Sequence, residues 1–200
     1  MLEGVYLVTR KLRLDRSVHI FGRGRAELRG KEPDRVIEST SLSATLDRLR
    51  IDIHDKRGSH ALIITSGHLR LQGCDVSSRV EKGCSTLYAS GHSVVADVLG
   101  CTFRGGGGGG VGFFQGASGL VEGCDSRDFG QGSGIVVGHS SASPLVSCNT
   151  FRDCKRGVLI YPDVDPSWSL GEGNVFTNGV EGDVVDLRYP LIQFAVFLQS

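Results

Sequence analysis

Arg-Asp dipeptides recur at a fixed interval in the C-terminal half of the chain. Arg127-Asp128 is repeated 25 residues later as Arg152-Asp153, and Arg104 precedes the first pair by 23 residues. If equivalent residues of successive repeats stack, the arginines form a basic stripe beside a column of carboxylates. Such a stripe could bind an acidic or hydroxyl-rich chain, which makes Arg104, Arg127, Asp128, Arg152 and Asp153 the candidate ligand-binding residues. The alternative, which we favour, is a solvated turn whose charges pair at little energetic gain.

Catalysis on a glycosidic bond would need two carboxyl groups about 5–10 Å apart on either side of it. Asp75 and Asp125 occupy equivalent positions, but the sequence does not single out an acid-base pair. We therefore predict no catalytic residue. His68 and His92 each follow a Ser-Gly dipeptide, yet a third ligand at metal-site spacing is not evident. The sequence accordingly predicts neither a metal site nor a cofactor.

Short strands must position these residues, because apolar runs of two to four residues end at Gly, Ser, Asn or Asp throughout the chain. The runs follow an anchor position that recurs every 23 to 27 residues, with an apolar residue usually three positions before it. The anchors are Leu49, Cys74, Cys101, Cys124, Asn149 and Asn174. A second run follows each anchor, at 61–64, 85–88, 112–114, 134–137, 157–160 and 182–185.

A fixed period of this length is the signature of a repeat architecture. Strands that stack in register about 4.8 Å apart bring equivalent residues of neighbouring repeats into contact. The predicted fold class is all-β: a single-stranded right-handed parallel β-helix of about six coils of 23–27 residues. We expect one domain over 1–200, with a leading coil and loop at 1–45, regular coils at 46–185 and a C-terminal cap or truncated tail at 186–200.

Six cysteines could form three disulfides, but three of them occupy the anchor position. A cysteine that stacks within such a ladder packs as a small buried thiol, so we favour free thiols and a reducing compartment, cytoplasmic or nuclear. The six glycines at 105–110 are expected to project from the coil as a mobile turn, because a glycine run is costly to order. Trp168 is expected to pack against the last coils.

Composition narrows the range of partners. Lys plus Arg and Asp plus Glu both count 22, so the net charge gives no support for nucleic-acid binding. The sequence contains no apolar segment near the ~20 residues that a membrane helix needs, and its start lacks the layout of a signal peptide. We expect neither a nucleic-acid nor a membrane partner, and we expect the chain to belong to a longer protein.

The two repeats at 143–151 and 157–161 resemble the right-handed parallel β-helix repeats of the pectin-lyase-like superfamily. Residues 2–24 look like the first coil of that family, and the resemblance covers about 2–185. The most similar subgroups are the repeats of β-helical F-box proteins and of carbohydrate-binding or sugar-hydrolase-like domains. The resemblance implies the fold firmly and the function weakly, since one fold hosts many activities.

The family implies either a polysaccharide lyase or hydrolase, or a solenoid that binds ligands. Polygalacturonase-like members carry Asn-Thr-Asp and Gly-His-Gly, where this chain has Asn149-Thr150-Phe151 and Gly138-His139-Ser140. We therefore predict a non-catalytic binding or scaffold module that presents one face to an extended glycan or protein segment. A polysaccharide-active enzyme, either pectate-lyase-like or a glycoside hydrolase, is the alternative. Self-association through exposed end coils is a further expectation.

Overall fold

The computed structural model describes residues 3–24, 26–30, 37–53, 60–78, 84–105, 108–139 and 141–189. Within these ranges the chain forms 22 short strands joined by turns and bends, and no helix is assigned. It follows that no described segment is a helix long and apolar enough to cross a membrane.

Each turn of the chain contributes up to three strands. The first three turns hold β1 (Val5–Val8), β2 (Leu12–Leu14), β3 (Val18–Phe21), β4 (Glu27–Gly30), β5 (Ile37–Ser39), β6 (Ala44–Asp47), β7 (Arg50–Ile53), β8 (Leu62–Ile64) and β9 (Gly67–Gln72). The next three hold β10 (Asp75–Ser78), β11 (Ser85–Ser90), β12 (Val94–Leu99), β13 (Thr102–Gly105), β14 (Gly109–Phe114), β15 (Ser118–Glu122), β16 (Asp125–Arg127), β17 (Ser133–Gly138) and β18 (Ser143–Ser147). The last two hold β19 (Thr150–Arg152), β20 (Arg156–Ile160), β21 (Val175–Thr177) and β22 (Gly182–Asp186).

As far as β20, every third strand joins the same parallel sheet; β21 and β22 then pair with β19 and β20. Sheet 1 has the order β1-β4-β7-β10-β13-β16-β19-β21, and sheet 2 has the order β2-β5-β8-β11-β14-β17-β20-β22. Sheet 3 contains β3, β6, β9, β12, β15 and β18. Among the described residues, six turns therefore have all three strands, and two more have strands in sheets 1 and 2 only. This is a parallel β-solenoid, and the predicted fold class and its approximate number of coils are confirmed.

Residues in equivalent positions of successive strands form columns along the solenoid axis. In sheet 1, for example, Leu28 pairs with Ile51, Ile51 with Val76, and Val76 with Phe103. All four side chains are at most 4% exposed and lie in the continuous core. A shift of one residue would turn a whole column to the outside, so burial of these apolar side chains fixes the register.

The corner before sheet 1 shows why either Cys or Asn can occupy the anchor position: both side chains accept a hydrogen bond from the backbone of the preceding anchor. The backbone N–H of Cys74 donates to Cys101 Sγ at 3.4 Å, and the N–H of Cys101 donates to Cys124 Sγ at 3.4 Å. The N–H of Cys124 then donates to Asn149 Oδ1 at 2.9 Å. The residue before each anchor has positive φ, which explains the Gly found there in four turns (Gly73, Gly100, Gly123 and Gly173).

All six cysteines are free thiols, in agreement with the prediction from the ladder. Hydrogen bonds with the Cys124 and Cys74 thiols, together with burial, raise the pKa of Cys101 far above that of an ordinary thiol. Burial also raises the pKa of Cys154 to about 11. These buried thiols are therefore held in the protonated, unreactive form.

Two expectations about irregular segments were wrong. Strands β1 to β6 begin within the predicted leading coil and loop at 1–45 and pair in register with later strands, so the regular stack starts nearer the N-terminus. The glycine run does not project where it is described: Gly105 ends β13, and Gly109 and Gly110 begin β14 in buried positions. A Cβ on Gly105 would lie 2.2 Å from the Phe129 ring, so glycine is required there by packing. Residues 106 and 107 lie outside the described residues.

A loop replaces the third strand of the seventh turn. Trp168 lies in this loop, is 9% exposed and donates its indole N–H to the carbonyl oxygen of Pro144 at 2.8 Å. Arg188 fastens the loop by donating to the carbonyls of Asp165 and Trp168 at 2.8 and 2.9 Å. The prediction that Trp168 packs against the last coils is confirmed. The tail from 190 onward lies outside the described residues.

Candidate functional site

The three predicted arginines form a column on the outer face of sheet 1. Arg104 pairs in register with Arg127, which pairs with Arg152. Asp75 and Asp125 lie two residues earlier on their strands and share the same outer face. The structure therefore brings the arginines together, as their spacing predicted.

Acidic neighbours already pair with these arginines. A guanidinium N–H of Arg104 hydrogen-bonds to Asp75, and Arg152 makes two hydrogen bonds to Asp125, of which the Nε bond is 3.2 Å. Arg127 Nε lies 3.8 Å from the second oxygen of Asp125. The hydrogen bond to Asp125, reinforced by its charge, raises the pKa of Arg152. Three cations thus share two carboxylates, which is the paired-charge arrangement that we favoured over a ligand site.

Asp128 and Asp153 stack at the corner that follows sheet 1. Both have left-handed backbones, with φ of 64° and 53°, and both are exposed. Asn178 continues the stack with φ of 60° and donates its Nδ2 to Asp153 Oδ1 at 3.0 Å. Because Asp and Asn tolerate this conformation better than most side chains, the corner itself accounts for these residues.

The outer face of sheet 2 carries a feature that the repeat analysis missed. Five rings follow one another along the solenoid axis, which we call the aromatic stripe: His60, Tyr88, Phe114, His139 and Tyr161. Successive ring centroids are 4.3, 4.9, 5.9 and 5.5 Å apart. The first two contacts are stacked, with interplanar angles of 25°, and the other two are tilted.

Glycines give these rings room to pack closely against the sheet. A Cβ on Gly112 would lie 2.5 Å from Cε2 of Phe114, and one on Gly138 would lie 3.0 Å from Cε1 of the same ring. A Cβ on Gly138 would also lie 3.2 Å from Cδ2 of Tyr161. Because Tyr88 stacks on both His60 and Phe114, neighbouring rings cover its faces and its edge remains for contact from outside.

A groove of about 160 Å³ runs beside the C-terminal half of the stripe. Its polar wall includes Arg156, whose guanidinium lies 2.5 Å from Glu181. A hydrogen bond from Lys155, together with the charges of both cations, lowers the pKa of Glu181. The described residues that line the groove are Cys84, Ser85, Gly108, Gly109, Phe114, Gln131, Gly132, Ser133, Val136, Arg156, Leu159 and Tyr161.

The stripe leaves a weak signal in the sequence. Its members recur at intervals of 22 to 28 residues, close to the repeat period, but they are of three residue types. Four of them stand at an end of the second strand or just outside it, where turn lengths vary between coils, and Tyr88 lies within its strand. Neither an alignment on the anchor nor the paired register of sheet 2 superposes them, since Tyr88 pairs with Gly112 and Phe114 pairs with Ser90 and Gly138.

Other polar candidates do not converge. The interpretation that His68 and His92 occupy the same position in successive coils was wrong. His68 pairs in register with Val95, and His92 lies in the loop just before that strand. His68 Nε2 instead lies 2.8 Å from Asp97 Oδ2. Within the described ranges, no group of three or more His, Cys, Asp or Glu side chains is placed to hold a metal ion.

Comparison with protein-family models gives one match, over residues 37–188, to the family described as the right-handed beta helix region. The match covers more than half of the chain. This chain belongs to the right-handed beta helix family. The resemblance to pectin-lyase-like β-helix repeats is thereby confirmed at the level of the fold, and right-handedness follows. No curated protein and no solved structure matched the chain.

Proposed function

We propose that this β-helix is a binding module whose aromatic stripe holds an extended ligand along the outer face of sheet 2. The observation that carries the proposal is the run of five rings at successive separations of 4.3 to 5.9 Å. A stripe that repeats with the turns of the solenoid suits a ligand that is itself an extended polymer.

The chemistry of the face favours a glycan over a protein segment. The half-buried rings of Tyr88, Phe114 and Tyr161 give the face an apolar surface that can pack against the C–H groups of a sugar. Ser133, Gln131 and Arg156 beside them can hydrogen-bond to hydroxyl or carboxylate groups. A peptide strand would instead need an unpaired sheet edge, and strands in the middle of the stack are paired on both sides.

The lining of the groove favours binding without catalysis. The described lining residues include no carboxylate, whereas glycoside hydrolysis uses two flanking carboxyl groups. Glu181, the acid nearest to Arg156, is engaged by two cations.

One observation supports the alternative of a polysaccharide-active enzyme. His139 Nδ1 lies 3.4 Å from Asp163 Oδ2 within the stripe, so an imidazole and a carboxylate are together on the binding face. Such a pair has the geometry for proton transfer if a substrate is bound beside it.

The test is binding to a panel of polyuronides and neutral glycans, measured by calorimetry with the wild-type chain and matched tyrosine variants. Tyr161→Ala should weaken binding about tenfold, because one stacked ring contributes about 1–2 kcal/mol. Tyr189→Ala, which removes an exposed tyrosine outside the stripe, should change affinity less than twofold. Equal losses for the two variants, or no binding to any glycan, would contradict the proposal.

A turnover assay on the same panel separates the binding module from the enzyme. Unsaturated products and new reducing ends are followed with and without calcium. Product that disappears in Asp163→Asn would establish the enzyme instead, while stripe-dependent binding without product supports the binding module.

A further inference from the structure

The two ends of the solenoid carry opposite charge. The first described turn, residues 3–24, has five basic side chains against two acidic ones, and residues 171–189 have four acidic side chains against one basic one. The basic residues of the first turn are Arg10, Lys11, Arg13, Arg16 and Arg23, and its acids are Glu3 and Asp15. The acids at the other end are Glu172, Glu181, Asp183 and Asp186, and its base is Arg188. Some of these charges are already paired within the chain: Glu181 with Lys155 and Arg156, Asp186 with Arg188, and Lys11 and Arg13 with Glu38.

Both ends also expose apolar side chains on strands at sheet edges. Val5 and Leu7 on β1 are 55% and 51% exposed, and Val175 on β21 and Val184 on β22 are 56% and 40% exposed. Strands β1 and β21 are the two edges of sheet 1, and β2 and β22 are the two edges of sheet 2. An edge strand presents unpaired backbone N–H and C=O groups, which can pair with a strand from another chain.

The columns predict how the two ends would meet. The sheet 1 column that begins at Tyr6 ends at Phe176, so a further turn added after β21 would place Tyr6 against Phe176. In sheet 2, the column that begins at Leu12 ends at Val184. One position earlier, Lys11 would therefore lie against Asp183.

We propose that the C-terminal end of one copy binds the N-terminal end of a second copy, so that sheets 1 and 2 continue across the junction. Charge complementarity selects this head-to-tail arrangement, because two like ends would bring charges of the same sign together. The contact is heterologous and does not close on itself, so it allows oligomers of increasing length. It uses the ends of the solenoid and is independent of glycan binding on its side.

Sedimentation velocity of the full 200-residue chain tests the proposal. The wild-type chain should show dimers and longer species that increase with protein concentration and decrease with added salt, which screens the charges. Arg13→Glu and Asp183→Lys should each weaken association at least about tenfold, because each reduces the difference in charge between the two ends and places a repulsive charge at the junction. Mixing the two variants should restore association, since each then offers a complementary end to the other.

Matched controls reverse charges away from the ends. Arg70→Glu and Glu122→Lys change exposed residues on the outer face of sheet 3 and should leave association unchanged. Circular dichroism and thermal melting should show that all four variants are folded. A chain that stays monomeric at low salt would overturn the proposal, as would association that the end variants do not alter. Association that appears only after residues 190–200 are deleted would also overturn it, since the chain's own tail would then occupy the end.

Discussion

The outer faces of sheets 1 and 2 use the same repeat in opposite ways. On sheet 1 the columns are charged, and Asp75 and Asp125 engage the arginines that the neighbouring strands supply. On sheet 2 the stripe is aromatic, and each ring contacts the next while remaining partly exposed. A charged column offsets most of its own charge, whereas the rings of the stripe leave part of their apolar surface uncovered. This difference is why the aromatic face is the better candidate for a ligand.

The largest effect should come from the core that joins the two faces. Gly134 on sheet 2 faces inward, and a Cβ there would lie 2.4 Å from Cδ1 of Phe151 on sheet 1. Gly134→Val should therefore lower the free energy of unfolding by roughly 3 kcal/mol through overpacking. Denaturant titration measures this, with Gly130→Val as the control, since a Cβ on Gly130 meets nothing within 4 Å. Equal free energies of unfolding for the two variants would show that close packing of Phe151 against Gly134 does not limit stability.

A smaller change should disable the aromatic face alone. Gly112→Ala places a Cβ 2.5 Å from Cε2 of Phe114 and 2.6 Å from Oγ of Ser85, so the ring must move away from the sheet. Glycan affinity should fall about tenfold with little change in melting temperature, because the displaced atoms are on the outside. In a double-mutant cycle, Gly112→Ala should cost almost nothing further when Phe114 is already alanine. Additive losses would mean that the glycine acts by another route.

The charged face should respond to loss of its shared acid. Asp125→Asn leaves Arg104, Arg127 and Arg152 with the single carboxylate of Asp75, so this part of the sheet 1 face becomes more cationic. The variant should be retained on immobilised heparin to a higher salt concentration than the wild type. Glu122→Gln, which also removes one negative charge but lies on sheet 3, should elute like the wild type. Identical elution of both variants would mean that only net charge matters.

The smallest effect is a pH dependence at the C-terminal edge of sheet 2. Hydrogen bonds from Arg188 lower the pKa of Asp186, so the ion pair contributes fully above the ordinary Asp value of about 3.9. Its contribution is lost as the pH falls through the lower pKa of the folded state. Because Arg188 also donates to the carbonyl of Trp168, the fluorescence of the chain's one tryptophan should change over that acidic range. In the Asp186→Ala variant, this change in fluorescence with pH should be absent.

The repeat was predictable because its signals are local. The apolar runs and the anchors Cys74, Cys101, Cys124 and Asn149 repeat at a nearly constant interval, and their stacking is what the structure shows. The glycine run was misjudged because chain entropy alone argues for a mobile turn. What decides Gly105 and Gly110 is the close approach of Phe129 and of the Gly134 carbonyl oxygen, which no local pattern reveals.

The candidate site was harder to predict than the fold. Spacing alone placed Arg104, Arg127 and Arg152 in one column, but it did not identify Asp75 and Asp125 as the acids that pair with them. Charged residues attract attention in a sequence, whereas a mixed series of His, Tyr and Phe at unequal intervals does not. The unequal intervals arise because turn lengths between strands differ from coil to coil.

The sequence by itself determined the β-solenoid, its approximate number of turns and the free-thiol ladder, because period, strand propensity and buried anchors are properties of the chain in order. Only the tertiary structure decided which outer residues face one another. That choice depends on where side chains from strands more than 20 residues apart reach: Phe114 pairs in register with Ser90 and Gly138, yet its ring contacts those of Tyr88 and His139. It depends equally on the glycines of sheet 2, whose missing side chains give the rings room to pack against the sheet.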